Sequence, residues 1–334
     1  MNSISKQLAS IILMLCFPFY AHASEKIVTD SFGGNRVLSV PIRKIVSLSA
    51  SGVECLRIMG RLDTLVGITE HIETRSKQLP EIKGIPSVGR GFMPNLEAIA
   101  ELRPDLVLAW KTNPGPELER QLGPFGITVL RLDLTEPKRL PEEMRALASL
   151  LGAEAQSRTE AYLNWLAYWT DRIQKSIADY PRPTVLAEHF TSFKIAGPGS
   201  GLYDLTQMAG GNNLAADIGV RAMQVDSEWI IERNPQFFIK CILLEKQDIQ
   251  KDMQATNRCL LTVSHRNNWN LLDAVRNNRI YIIDSDVASG PQYIIGLIKI
   301  ASYFYPFASI PAEEKIYEDI NNKIWLKENF SFKK

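Results

Sequence analysis

Histidine and cysteine are scarce in this chain, with four of each in 334 residues. No two histidines stand at short metal-ligand spacing, which argues against a bare zinc or manganese site built from several imidazoles. Neither sign of charge is in excess, since 38 basic side chains face 37 acidic ones, and that balance argues against a nucleic-acid-binding surface. No segment beyond the first twenty residues is apolar enough to cross a membrane. Hydrolase signals are missing too: no serine sits in a Gly-x-Ser-x-Gly nucleophile turn, and no cysteine has a sequence-evident histidine partner. The turn Gly197-Pro198-Gly199-Ser200-Gly201 lacks the lysine and hydroxyl of a phosphate-binding loop and does not fit the dinucleotide pattern.

The chain does open with an export signal. Lys6 precedes the apolar stretch Leu8 to Tyr20, and Ala21-His22-Ala23 follows before Ser24, the arrangement of a signal peptide over residues 1–23 cleaved near Ala23. Pro18 interrupts an apolar core already short for a bilayer span. Leu15 before Cys16 does not suit lipid attachment, which requires a small residue there. Cleavage removes Lys6 as the one charged group and leaves Cys55, Cys241 and Cys259. Their spacing admits a Cys241–Cys259 bridge or three free thiols.

The remaining length suits two lobes. Ile45 to Leu48 reads as a buried strand running into a helix, with Ser51 as cap and Glu54 reaching back in a capping box. Strands at Leu65 to Ile68, Asp105 to Ala109 and Gly126 to Leu132, with a short helix from Asn95 to Leu102, complete an α/β lobe over residues 24–152. Helical periodicity then takes over. Gly152 divides it, and the second helix, within residues 153–180, is about 37 Å long at 1.5 Å per residue, a rigid connector. After Pro181-Arg182-Pro183 the alternation resumes over 181–334, with strands at Thr184 to Glu188, Phe237 to Leu243 and Arg279 to Ile283. The predicted fold class is α/β: two similar Rossmann-like lobes with mainly parallel central sheets, joined by one long helix.

The halves repeat a unit. Asn95-Leu96-Glu97 through Arg103-Pro104 to Leu108 aligns with Asp226-Ser227-Glu228 through Asn234-Pro235 to Ile239, each reading as cap, acid, short helix, proline, strand. Both acids, Glu97 and Glu228, sit two residues past a cap, where the helix dipole favours them by about 0.3–1 kcal/mol.

In open parallel sheets ligands bind beyond the carboxyl ends of the strands. The residues there include His71, Trp110, Asp133, His189, Phe190 and Asp284 to Asp286, a set with no catalytic organisation. Trp110 is the sharpest candidate, a large indole directly after a strand. Arg90, between Gly89 and Gly91, offers a two-pronged hydrogen bond to an acidic ligand, and Phe92 beside it an apolar wall. His71 and His189 follow strands in opposite halves and suit the two sides of a cleft.

These residues resemble the periplasmic binding proteins for iron-siderophore, haem and cobalamin uptake. The resemblance runs from Arg43-Lys44-Ile45-Val46-Ser47-Leu48 through Asn95-Leu96-Glu97 and Leu106 to Trp110. It continues with Gly210-Gly211-Asn212-Asn213, Val225-Asp226-Ser227-Glu228, Asn234-Pro235, Arg279-Ile280-Tyr281 and Ser289-Gly290-Pro291. It implies a monomeric periplasmic substrate-binding protein, not an enzyme, that takes a small-molecule metal chelate into the inter-lobe cleft. The cargo then passes to an inner-membrane ABC permease dimer with its ATPase. By motif position Glu97 and Glu228 engage the permease, and Trp110 lines the cleft with Arg90, His71, Phe92, Phe190 and Tyr293 around it. No resident cofactor or metal is expected beyond the metal in the cargo. Gln292 stands where some relatives carry arginine, and no arginine cluster suits a catecholate or citrate complex, so the cargo's identity stays open. An exported enzyme or a ligand sensor on the same frame is the alternative.

Overall fold

The computed structural model describes residues 24–76, 79–244 and 249–321, and the expected leader 1–23 lies outside them. The hairpin β1 (Ser24–Thr29) and β2 (Asn35–Val40) comes first. Next follow β3 (Ile45–Ser47), α1 (Ala50–Ile58), β4 (Leu65–Ile68), α2 (Glu70–Glu73), the two-residue strands β5 (Gly89–Arg90) and β6 (Met93–Pro94), α3 (Leu96–Leu102), β7 (Leu106–Ala109), α4 (Glu117–Leu122) and β8 (Thr128–Arg131). The sheet order is β4-β3-β7-β8, and every neighbour is parallel. β3 and β7 are buried along their whole length, as a parallel sheet covered on both faces requires, which is why they read as unbroken apolar runs.

α5 (Leu140–Ser149) leads to α6 (Ala153–Ile177), the connector, 25 residues long. It starts at Gly152, whose φ of 103° belongs to the region that glycine enters without strain. Trp165, Leu166, Trp169, Ile173 and Ile177 form its buried stripe. The Trp165 and Trp169 indoles both donate to Asp319 Oδ2, at 2.8 and 3.1 Å.

The second lobe contains β9 (Thr184–Glu188), β10 (Lys194–Ala196), α7 (Gly201–Met208), β11 (Asn212–Asn213), β12 (Ala222–Gln224), α8 (Ser227–Arg233), β13 (Phe237–Ile242), α9 (Ile249–Ser264), α10 (Asp273–Arg276), β14 (Ile280–Asp284), α11 (Tyr293–Phe304) and α12 (Glu313–Asp319). β9, β13 and β14 run parallel, β10 and β12 continue the sheet antiparallel, and β11 pairs with β9. One apolar core runs from Ile45 and Leu108 through Trp165 and Trp169 to Ile239, Ile294 and Ile316. Each sheet's other face has its own smaller cluster.

The duplicated unit is visible in backbone geometry. Asn95 caps α3 through the Ala98 N–H, and Asp226 caps α8 through the Trp229 N–H. Both helices stop at a left-handed residue, Arg103 (φ 47°) and Asn234 (φ 39°). The start of α1 corrects an expectation. Ser49, not Ser51, is the cap, and its Oγ accepts from the Gly52 N–H at 3.2 Å. The helix therefore begins two residues earlier than the capping-box reading placed it, and Glu54 stands too far along to reach back.

Candidate functional site

The carboxyl ends of β3, β7 and β8 face those of β9, β13 and β14 across a cleft, which has two adjoining compartments. The first, about 170 Å³, takes Glu54, His71, Arg75 and Trp110 from one lobe and Asp286 and Gln292 from the other. The second, about 490 Å³, is lined by His189, Phe190, Lys194 and Arg221 together with Asn113. Thr135, Ser285 and Ser289 line both.

A buried cation fixes each aromatic wall. Arg131, at the end of β8, is 2 % exposed and donates to the carbonyls of Trp110 (3.0 Å), Pro114 (2.7 Å) and Gly115 (2.9 Å) while forking onto Glu119. In the other lobe Lys240 of β13 donates to the carbonyls of His189 and Phe190. Glu188, fully buried, pairs with Lys240 at 2.8 Å and takes the Arg266 fork at 2.6 and 2.7 Å. The loops leaving β7 and β9 are thus held by cations on neighbouring strands, and each cation is held by a carboxylate. Charge assistance roughly doubles the strength of such hydrogen bonds. Replacing Arg131 by methionine is expected to cost about 2 kcal/mol, because Glu119 is partly exposed and rehydrates while the loop carbonyls lose their donor. Urea melts, with proteolysis of the 110–116 loop as a second readout, check it; unchanged loop cleavage would mean that Arg131 does not hold the loop.

Ion pairs cross the cleft. Arg75 meets Asp286 at 2.6 Å, with both side chains largely buried. Arg221 pairs with Asp133, lies 3.3 Å from Glu136, and donates to Thr135 Oγ1 at 3.3 Å. Burial raises the Glu136 carboxyl's pKa, with Arg221 opposing and Asp133 reinforcing the shift. Burial disfavours the charged form of both imidazoles. Burial, then Arg75, lowers the His71 pKa, and Arg75 Nη2 lies 3.1 Å from its Nε2. Burial, then Lys194, Arg221 and Lys240, lowers the His189 pKa to about 4. Among the described residues no three His, Cys, Asp or Glu side chains converge as a metal-binding group. Among the described residues Cys55, Cys241 and Cys259 are free thiols, with Cys241 pushed up to about 12 by burial.

The structure gathers only part of the expected set. Trp110 enters the first compartment and stacks on Phe92, ring centres 5.9 Å apart and planes 19° from parallel. Gly91 lets the rings approach, since a Cβ there would sit 3.1 Å from the indole. Phe190 lines the second compartment, exposed at the rim. His71 and His189 occupy different compartments and do not face one another across one. Arg90 lines neither: its side chain is 75 % exposed, with Glu70 at 3.8 Å. Tyr293 also stands back from the cleft. It opens α11 inside the core, 5 % exposed, its hydroxyl 3.3 Å from Thr170 of the connector, because Pro291 and Gln292 form the wall in front of it. Glu97 and Glu228 are exposed, each on the first turn of its matched helix.

Sequence reasoning placed Asp133 after a strand end but missed Glu54, Arg75, Arg131, Arg221 and Lys240. Arg131 and Lys240 did leave a trace, as lone cations in apolar strands, the first at the end of β8 and the second inside β13. Arg75 and Arg221 left none, because their partners lie 211 and 88 residues away.

Two α/β lobes on a rigid helix, with a cleft between facing strand ends, define a ligand-capturing protein. Residues 45–287 match the periplasmic binding protein family, to which the chain belongs. An uncharacterized ABC transporter substrate-binding lipoprotein of Bacillus subtilis, YvrC, is 26% identical over 274 residues, covering 79% of this chain and 80% of that protein. The vitamin B12-binding protein of Salmonella paratyphi A is 27% identical over 238 residues, 69% of this chain and 77% of that one. The solved structure of Helicobacter pylori CeuE in complex with Ni-His superposes with a TM-score of 0.72 at 19% identity, covering 91% of this chain and 97% of CeuE.

Proposed function

We propose that this protein works in the periplasm as a monomeric, non-catalytic carrier. It takes a chelated metal compound, a corrinoid before a ferric siderophore or haem, into the cleft and passes it to an inner-membrane ABC permease that docks on Glu97 and Glu228. The observation that carries this reading is the two-compartment cleft between facing strand ends, with its Trp110–Phe92 stack on one side and Phe190 on the other. Apolar walls with a few placed polar groups are what a small-molecule site requires. The cleft arginines already have carboxylate partners, which disfavours polyanionic chelates, and the vitamin B12-binding relative points the same way. The metal belongs to the cargo in this reading. The Cys241 thiol, its pKa pushed up to about 12 by burial, also offers no activated nucleophile.

Tryptophan fluorescence tests the reading, with the purified protein titrated with cyanocobalamin, ferric desferrioxamine and haemin. A saturable quench by cyanocobalamin is expected, weakened about tenfold or more in Trp110→Ala, since a buried aromatic contact is worth roughly 1.5–3 kcal/mol. Saturation by another probe alone would change the cargo. Turnover of any probe would overturn the carrier reading itself.

A further inference from the structure

Glu54 has no structural employment that its position explains. It projects from α1 into the first compartment, and its Oε2 is shielded from solvent with no hydrogen-bond partner among the described residues. Charged and polar groups approach it from three directions. Arg57, on its own helix, pairs with Glu81 at 3.1 Å. Arg75, beyond α2, is held by Asp286 of the opposite lobe at 2.6 Å. The remaining neighbour is Gln292, in the wall of the same compartment. Burial nevertheless prevails and raises the Glu54 pKa, with Arg57 and Arg75 opposing it and Asp286 adding to it.

Such a group costs stability. A buried polar atom without a partner carries a desolvation penalty, and an apolar residue of similar size would remove it. Unpaired buried groups of this kind are how binding sites reject molecules that fail to satisfy them. We propose that Glu54 is a specificity-determining residue, its Oε2 reserved for a neutral carboxamide of the cargo that enters the first compartment. An amide N–H of the cargo donates to the open Oε2, which accepts in either protonation state of the carboxyl. An anionic group entering there meets Asp286 and Glu54 together and finds Arg75 already taken. This inference rests on the reading of the cleft as the cargo site.

The test separates stability from recognition, using the full mature chain with Glu54→Gln and Glu54→Leu. Without ligand, both variants are expected to melt at or above the wild-type temperature. The pH dependence has a definite sign. A carboxyl whose pKa is raised by folding destabilises nothing in acid, below its ordinary range. Its cost grows as pH rises from that range through the raised folded-state value, so the advantage of Glu54→Gln over wild type should widen across that window. With cyanocobalamin as probe, Glu54→Leu should bind about tenfold more weakly and Glu54→Gln less so, because its amide keeps a donor and an acceptor. The wild type should also prefer cyanocobalamin to its monocarboxylic acid derivatives, and Glu54→Leu should lose that preference.

Ligand-free variants clearly less stable than wild type would assign Glu54 a structural role and overturn the inference whatever the cargo. Unchanged affinity in Glu54→Leu would overturn it too. If cyanocobalamin fails to bind the wild type, the corrinoid reading fails by itself. The same variants titrated with whichever of ferric desferrioxamine or haemin does bind then decide Glu54, and if none binds the melts decide it.

Discussion

Cells carrying Glu97→Ala together with Glu228→Ala are expected to lose cargo uptake, while the purified variant binds cargo within about twofold of wild type. Both acids are exposed, each stands on the first turn of a seven-residue helix, and no ion pair engages either among the described residues. Removing them therefore leaves the cleft and both cores intact. Their matched placement, one per lobe, gives a two-fold permease two equivalent handles. A charge pair at such an interface is worth on the order of 1.5 kcal/mol or more, roughly tenfold per acid, and the two losses should multiply. Either single variant should retain intermediate uptake, and raising salt should weaken docking of the wild type. Measured as uptake of labelled cargo beside calorimetric binding, normal transport by the double variant would show that the permease grips elsewhere. Loss of binding and transport together would mean that the acids serve the cleft.

The second large effect lies inside the protein. Glu188→Gln is expected to destabilise by about 3–5 kcal/mol, as removal of one partner from a buried ionic cluster does, and to lower the melting temperature by roughly 10 °C. The glutamine preserves shape but leaves Lys240 and Arg266, both nearly buried, without a counter-charge. Arg266 would keep its stacking on Phe193 and Trp269, 4.3 and 4.5 Å from the ring centres, so the fault should concentrate on Lys240 and the His189–Phe190 loop that it holds. Cargo affinity should consequently fall with stability. A melting temperature within a degree or two of wild type would show that water already compensates the two cations.

What the sequence disclosed and what it hid follow from range. Strands such as Leu65–Ile68 and Thr184–Glu188 were legible to the residue, because buried parallel strands are short apolar runs. The α3 and α8 units were legible because caps and helix-ending left-handed residues are local devices. The connector was legible from its stripe of large residues. The helix Tyr293–Phe304 was not: it is apolar almost all round, so no polar face marks its period. The cleft was legible where it follows strand ends, at Trp110, His71, His189 and Phe190. Arg90 misled because glycines on either side suggested a presented side chain, whereas the small β5–β6 turn carries it out to solvent beside Glu70. Glu54 was hidden by a plausible local role: the serine and glutamate spacing fits a capping box, and only the position of Ser49 shows that the helix had already begun.

The single core that joins the inner faces of both sheets through Trp165 and Trp169 has a consequence for transport economy. Swinging the lobes widely apart would strip apolar surface from that core, at about 25 cal/mol for each Å² exposed. Loaded and empty protein would then present nearly the same outline, and a permease docking on Glu97 and Glu228, as proposed above, could not tell them apart by shape alone. Empty carriers compete for the same berth as full ones. The rate of import is then governed by the fraction of carriers that are loaded, and making more carrier when cargo is scarce slows delivery.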